Sequence, residues 1–194
     1  IWQSLEQAIR HGQSSGRGLI TTSGAITMLR QSAWHDLPAG TICDDLFLTM
    51  KSTMSGGKFG LCVESVAIDP RVTTPSGAFR KKVRTLTGLW QYILELEPDA
   101  IRPSRNPVWI DFLAHKIMRL ATPALFVIAV LPCGAWAIET FYNSDRGAQV
   151  VLILALVVAV LTMSLSDSLR WRAATICAPM VATWNGLRRN WNVW

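Results

Sequence analysis

Charged residues are scarce in this sequence, at 16% of 194 residues against roughly 25% in ordinary soluble domains. Cysteine and histidine are also rare, with four and three copies, and neither type has the spacing of a zinc or redox motif. These shortages exclude a disulfide-built scaffold and a zinc centre. The start of the chain has no signal-peptide pattern, and the sequence shows no Ser-His-Asp order or glycine-rich phosphate loop.

The charge that is present is unevenly distributed along the chain. Residues 1–120 mix polar and apolar types, whereas residues 121–166 are almost free of charge. This shift predicts a soluble part joined to a membrane part. The chain begins at Ile1 within a helix-like pattern, so we expect it to be a fragment of a larger protein. We divide it into a cytoplasmic domain (residues 1–75), amphipathic interfacial helices (residues 76–117) and a transmembrane region (residues 118–194).

Two apolar segments are predicted to cross a bilayer, at about residues 118–138 and 149–166, because each approaches the roughly 20 residues that a spanning helix needs. A third segment, residues 173–187, is left open as a further span, a re-entrant helix or an interfacial helix. Basic residues flank the pair of spans, which by the positive-inside rule places residues 1–117 in the cytoplasm. The predicted location is therefore the inner (plasma) membrane, with several passes.

The polar part predicts an α/β arrangement. Residues 19–29 and 58–68 are β-branched and apolar, and between them Asp44 and Asp45 open a helix that Gly56 and Gly57 end. This order of strand, helix and strand suits an α/β sheet. Two helices follow, over residues 76–96 and 109–120, and their apolar stripes predict that they lie in the membrane interface.

An acidic pair and a basic cluster are the candidate chemical groups. A carboxylate such as Asp45 can accept a proton from an attacking hydroxyl, and Arg84 with its lysine neighbours can hold a leaving diphosphate. Each feature also has a structural interpretation. Asp44 and Asp45 suit a helix N-terminus, and a basic run beside a membrane suits lipid headgroups.

Three strings in order resemble the membrane-bound inverting glycosyltransferases of family 2, the family of cellulose synthase, hyaluronan synthase and bacterial exopolysaccharide synthases. They are CDDLFLTMKSTMSGGKFGLCVESVAIDP, FRKKVRTLTGLWQ and NPVWIDFLAHKIMRLATP. The resemblance implies that Asp45 is the catalytic base with Asp44 beside it. It also implies that Arg84 and Lys81 contact the donor, and that Gly24 and Trp34 border the acceptor. Threonine stands where the family's Gln-x-x-Arg-Trp motif has tryptophan, and lysine stands where it has glutamine, so the resemblance does not extend to processive synthesis.

The resemblance implies a fold and a reaction. The fold is the C-terminal half of a GT-A-type, Rossmann-like domain followed by interfacial and transmembrane α-helices, mostly helical as a fragment. The reaction is transfer of a sugar from a nucleotide-diphosphate sugar to a glycan or lipid-linked acceptor at the cytoplasmic membrane face, with inversion.

No Asp-x-Asp occurs in the chain. A divalent metal, Mg²⁺ or Mn²⁺, is therefore expected to bind in a missing N-terminal half, no metal site is expected here, and the chain alone should be inactive. The alternative is a non-catalytic subunit that scaffolds polysaccharide synthesis or export. Membrane lipids are expected partners. Nucleic acid is not, because the chain lacks interleaved basic and aromatic residues outside its membrane-border helices.

Overall fold

The computed structural model describes residues 2–68, 74–143, 145–165 and 167–193. Within these ranges the chain forms seven α-helices: α1 (Trp2–Ser15), α2 (Asp44–Met54), α3 (Pro75–Gln91), α4 (Trp109–Phe112), α5 (Met118–Asn143), α6 (Arg146–Leu165) and α7 (Asp167–Leu187). Short 3₁₀ turns lie at Gln31–Ala33 and Pro98–Ile101. Two π-helical segments extend this set: Tyr92–Leu96 continues α3, and Leu113–Ile117 joins α4 to α5.

The predicted α/β fold is wrong, because the described ranges contain helices and loops but no β-strand. Residues 19–29 and 58–68, the expected strands, meet at one backbone hydrogen bond, from Leu19 N–H to Phe59 O (2.9 Å). A ladder needs a series of such bonds, and most residues of these two segments are instead exposed. No Rossmann-like sheet exists in this part of the chain.

The helix boundaries follow local sequence chemistry. The α2 helix begins at Asp44 as predicted, and Gly56, just beyond its end, has φ +89°, the left-handed conformation that glycine adopts at no steric cost. The α3 helix begins with Pro75 after Thr74, whose hydroxyl accepts the Gly77 N–H at 3.1 Å. Thr74 thus fixes where α3 starts, and Gly56 allows the chain to turn where α2 ends.

An aromatic cluster joins the helices around the candidate site. Tyr92 meets Phe47 of α2 and Phe112 of α4 edge to face, with ring centroids 6.5 and 6.2 Å away. All three rings are buried, and Met50 and Val108 complete the same core. Edge-to-face pairs add roughly 0.5–1.5 kcal/mol each beyond the burial of their area. This core fixes α2 against the end of α3.

The α7 helix packs along α3 through a stripe of small residues. Ala178 and Ala182 are fully buried, and Gly186 continues the stripe one turn later. Small residues four apart allow two helix backbones to approach closely. A Cβ on Gly186 would overlap the indole of Trp90, whose Nε1–H donates to Thr183 Oγ1 at 3.4 Å. The apolar stripe of α3 is thus covered largely by protein.

One helical stretch in the described part of the chain, Pro123–Asn143, is long and apolar enough to cross a membrane, and none of it is buried. It lies within α5 and contains Pro132. The predicted span at 118–138 therefore corresponds to α5, which begins at Met118 and ends at Asn143, five residues later than predicted. Within α6 the described apolar stretch, Arg146–Ala155, is shorter than a membrane span. The structure does not describe the side chains of residues 159–176. The predicted spans at 149–166 and 173–187 are therefore not supported by a helix of spanning length among the described residues.

Candidate functional site

The segment just before α2 is held against one face of α3. A Cβ on Gly88 would lie 2.5 Å from Cys43 Sγ and 3.0 Å from Ile42 Cγ2, so only glycine permits this approach. Cys43 Sγ donates to Thr85 O at 3.6 Å. One turn further on, the buried Gln91 side chain accepts the Ile42 N–H at 3.0 Å. Because Arg84 lies one turn before Gly88 on the same face, these contacts bring the acidic pair and Arg84 together.

A second set of hydrogen bonds places Gly24 beside Asp45. Thr22 contacts the Thr49 hydroxyl twice, through its backbone N–H (3.2 Å) and its own hydroxyl (3.0 Å). Thr49 lies one turn after Asp45 and donates to the Asp45 carbonyl at 2.6 Å. The loop then passes over the start of α2, where a Cβ on Gly24 would lie 3.8 Å from Asp45 Oδ2. The two residues that the sequence assigned to acceptor and base are therefore neighbours.

The two carboxylates differ in exposure and in their contacts. Asp45 Oδ1 accepts the Leu46 N–H at 2.8 Å, and Asp44 Oδ1 accepts the Asp45 N–H at 3.0 Å. Both therefore act on free amides at the helix start, as the capping interpretation expects. Asp44 is exposed, whereas Asp45 is partly buried and directs its other oxygen towards Gly24. Capping uses one oxygen of Asp45 and leaves Oδ2 directed towards the loop.

Cations surround this acidic pair. Arg84 and Lys116 lie close enough to Cys43 to lower its pKa, and Asp45 lies close enough to raise it. Burial is the largest effect and raises the pKa of the Cys43 thiol to about 12. The thiol is consequently neutral at physiological pH and makes a poor nucleophile. Asp45, Arg84 and Lys116 therefore all lie within electrostatic range of Cys43.

Lys116 comes from the π-helical segment before the apolar helix. Burial, the largest effect, and repulsion from Arg119 lower the pKa of Lys116, and Asp45 has the opposite effect, with a net pKa of about 8. Arg10 of α1 is also within electrostatic range of Lys116. Burial and Arg119 likewise lower the pKa of Lys82. The site thus gathers cations from α1, α3 and the π-helical segment around two carboxylates.

Two predicted site residues lie less centrally. Lys81 is exposed on α3, and its carbonyl accepts the Thr85 hydroxyl at 2.9 Å. Trp34 is 53% exposed and follows the 3₁₀ turn at Gln31–Ala33. Sequence reasoning did not assign Lys116 or Gln91 to the site. The signal for Gln91 was its position seven residues after Arg84, on the same helix face.

A cavity of about 270 Å³ opens elsewhere, between the start of α3 and the C-terminal residues. Phe79, Arg80 and Asn185 are among its lining residues, and Asp45 and Arg84 are not. This cavity is therefore separate from the cluster at Asp45.

The donor set at the cluster does not suit a divalent metal. Mg²⁺ and Mn²⁺ prefer several oxygen ligands, whereas here two carboxylates lie among Arg84, Lys116 and Arg10. Across the described residues, no three His, Cys, Asp or Glu side chains are grouped to hold a metal ion. The expectation of a metal in another part of the protein stays a prediction, and no chemical step is assigned to it.

Comparison with protein-family models, with curated proteins and with solved structures gives no match for this chain.

Proposed function

We propose that this chain contributes the catalytic acid–base and leaving-group residues of an inverting glycosyltransferase, which its sequence motifs resemble. The observation that supports this most is the convergence of Asp45, Arg84 and Gly24, which are far apart in sequence, at one place beside Cys43. Such a reaction needs a proton acceptor and a cation close together in one site. If Asp45 were only a helix cap, it would not need Arg84 or the Gly24 loop nearby. If Arg84 only anchored lipid headgroups, it would not need Asp45 nearby.

The proposed reaction uses Asp45 and Arg84 directly. Asp45 Oδ2 accepts the proton of an acceptor hydroxyl as the hydroxyl oxygen forms a bond to the anomeric carbon of the donor sugar. The bond from that carbon to the diphosphate oxygen breaks on the opposite side, which inverts the configuration. The electron pair leaves with the diphosphate, and the Arg84 guanidinium stabilises the resulting charge. Gly24 leaves open space beside Oδ2, where the acceptor would enter.

The proposed membrane placement follows from how the helices pack. Since α7 packs along α3, the two helices lie on the same side of any bilayer that α5 crosses. The chain must then return through α6, whose 20 residues span about 30 Å, the thickness of a bilayer core. We therefore propose that α5 and α6 form a membrane hairpin in the plasma membrane. Residues 1–117 and the end of α7 would then lie on the cytoplasmic side, where nucleotide sugars occur.

The test is transfer of labelled sugar in membranes that contain the full-length protein, with a panel of nucleotide sugars as donors. Asp45→Asn should reduce incorporation to background while the protein stays in the membrane fraction, because the amide cannot accept the proton. The matched control is Asp99→Asn, which removes only a surface pair with Arg102 and should keep transfer near the wild-type rate.

Transfer by Asp45→Asn at the wild-type rate would refute the assignment of the base. A wild-type protein that transfers no sugar from any donor would instead favour the scaffold subunit. Arg84→Ala should weaken use of the donor, and an unchanged dependence on donor concentration would contradict its role.

A further inference from the structure

The cavity near the start of α3 is lined on one side by residues that follow a turn at the end of α7. The Asn190 N–H donates to Asn185 O at 2.9 Å, and the Arg189 N–H donates to Gly186 O at 3.1 Å. This pair of bonds is the Schellman motif, whose reversing residue has positive φ and is usually glycine. Here that residue is Arg189, with φ +51°, and its Nη1 atom lies 3.9 Å from Glu95 Oε1. The turn reverses the chain, so the segment after it returns towards α3.

The polar lining of the cavity is rich in hydrogen-bond donors. It consists of one guanidinium and three carboxamides: Arg80, Asn185, Asn190 and Asn192. No Asp or Glu of the described residues lines it. The Asn192 N–H donates to Asn190 Oδ1 at 3.3 Å, which engages that oxygen and not the amide hydrogens of Asn190. No side-chain hydrogen bond or ion pair joins Arg80 or Asn185 to another described residue. This lining favours an anionic ligand with several oxygen atoms.

The rest of the lining is apolar and limits what the anion can be attached to. Phe79, Val83, Val181 and Val193 contribute this part. The cavity volume is about 270 Å³, which is close to the lower end of the range for ligand pockets, about 300 Å³. A ligand that fills it therefore has a small anionic head with carbon atoms directly beside it.

The surface next to the cavity is typical of a membrane interface. Trp184, which precedes Asn185, is 56% exposed, and the Arg188 guanidinium lies 4.0 Å from the centroid of its ring. Tryptophan is enriched at the level of lipid headgroups, and arginine near that level is attracted to anionic lipids. The anionic heads found there are phosphate esters, so this surface favours a phospholipid as the ligand.

We propose that this cavity is a phosphate-ester site, in which Arg80 and Asn185 bind the phosphate oxygens and Phe79 and Val181 contact the carbon atoms beside them. A guanidinium suits this role because its planar donors match two oxygens of a phosphate at once. The site does not include Asp45, so it is independent of the proposed function. A phospholipid headgroup and a soluble phosphate ester share this chemistry, and the experiment includes both sources.

The experiment measures ligand binding to the full chain in maltoside micelles by native mass spectrometry, which counts the molecules bound. The ligands are dioctanoyl phosphatidylglycerol, glycerol phosphate and dioctanoylglycerol, which present the phosphate and the acyl chains first together and then separately. The wild-type chain should bind a single molecule of the phospholipid. Each of the other two ligands should bind at least about tenfold more weakly, because each lacks the partner for one part of the lining.

Two substitutions test the polar lining. Arg80→Gln should weaken phospholipid binding about tenfold, since an amide cannot replace the charged, bidentate contact. Asn185→Asp keeps the shape of the side chain but places a carboxylate beside the phosphate, and should weaken binding by about tenfold or more. The matched control is Arg17→Gln, which removes the same charge from an exposed residue outside the cavity and should bind as the wild type does. Circular dichroism checks that each variant keeps the helix content of the wild type.

The outcomes separate the site from the source of its ligand. Phospholipid binding that is equal in the wild type, Arg80→Gln and Asn185→Asp would overturn the site, and so would a wild-type chain that binds no phosphate ester. Binding of dioctanoylglycerol as tightly as the phospholipid would also overturn it, because the phosphate would then contribute nothing. Binding of glycerol phosphate as tightly as the phospholipid, with the same dependence on Arg80, would support the phosphate site and overturn a lipid as its source.

Discussion

The contact at Gly88 provides a sharp test of how the site is assembled. In Gly88→Ala the new methyl would lie 2.5 Å from Cys43 Sγ and 3.0 Å from Ile42 Cγ2. Relaxed non-bonded contacts are roughly 3.5–4.0 Å, so the segment before α2 must move about 1 Å or more away from α3. Because Asp44 and Asp45 follow this segment directly, the same movement separates Asp45 from Arg84.

Two contributions to the change in stability of Gly88→Ala have opposite signs. Alanine in a helix interior is favoured over glycine by up to about 1 kcal/mol. Overpacking of a tight contact typically costs about 1–3 kcal/mol. The control is Gly12→Ala in α1, where no atom lies within 4 Å of the new methyl, so it has only the favourable contribution. Gly88→Ala should therefore be about 1–3 kcal/mol less stable than Gly12→Ala.

Stability is measured by chemical denaturation in micelles, followed by circular dichroism. Cys43→Ala removes the sulfur atom, so Gly88→Ala should cost about 1 kcal/mol less in that background. Misplacement of a catalytic group by about 1 Å can reduce a rate roughly 100-fold, so sugar transfer should fall more than stability does. If Gly88→Ala stabilises the protein as much as Gly12→Ala does, the close approach of α3 to Cys43 does not exist in solution.

Two further predictions use the cysteines. Burial raises the pKa of Cys43 to about 12, whereas hydrogen bonds from Ser65 and Glu64 lower the pKa of the exposed Cys62. At pH 8 iodoacetamide should therefore modify Cys62 rapidly and Cys43 more than about 100-fold more slowly, and the rate at Cys43 should rise about tenfold per pH unit towards pH 12. The rates are measured by peptide mass spectrometry. Equal rates for the two cysteines would show that Cys43 is not buried in this way. In the proposed topology, an impermeant maleimide added to intact cells should label Asp145→Cys but should reach Cys62 only after lysis, and labelling of Cys62 in intact cells would contradict a cytoplasmic location of residues 1–117.

Features set by near neighbours in sequence could be predicted. The start of α2 at Asp44 and its end before Gly56 were correct, because a helix start needs acceptors for free amides and a helix end tolerates positive φ. The helix over residues 76–96 was also correct, although its last turn is π-helical. The expected strands at 19–29 and 58–68 were wrong. A β-branched run becomes a strand only beside a partner strand, and here Thr22 bonds to a helix residue instead.

The candidate site was only partly predictable for a related reason. Asp45, Arg84 and Gly24 could be selected because motif resemblance identifies residue types in order. The roles of Gly88 and Gln91 could not, because a close backbone approach and a clamp across 49 residues are properties of the tertiary structure. Lys116 was assigned to the membrane flank, since its spacing alone does not reveal that the π-helical segment brings it within range of Asp45.

The packing of α7 on α3 sets the order in which the polypeptide can mature during synthesis. Ile93, at the end of the α3 stripe, leaves the ribosome about 85 residues before Ala178, a buried residue of α7. At typical synthesis rates this interval is on the order of ten seconds. During that time α3 has an uncovered apolar face that chaperones or the insertion machinery can bind. The packing of α3 is thus completed only after both apolar helices have been translated.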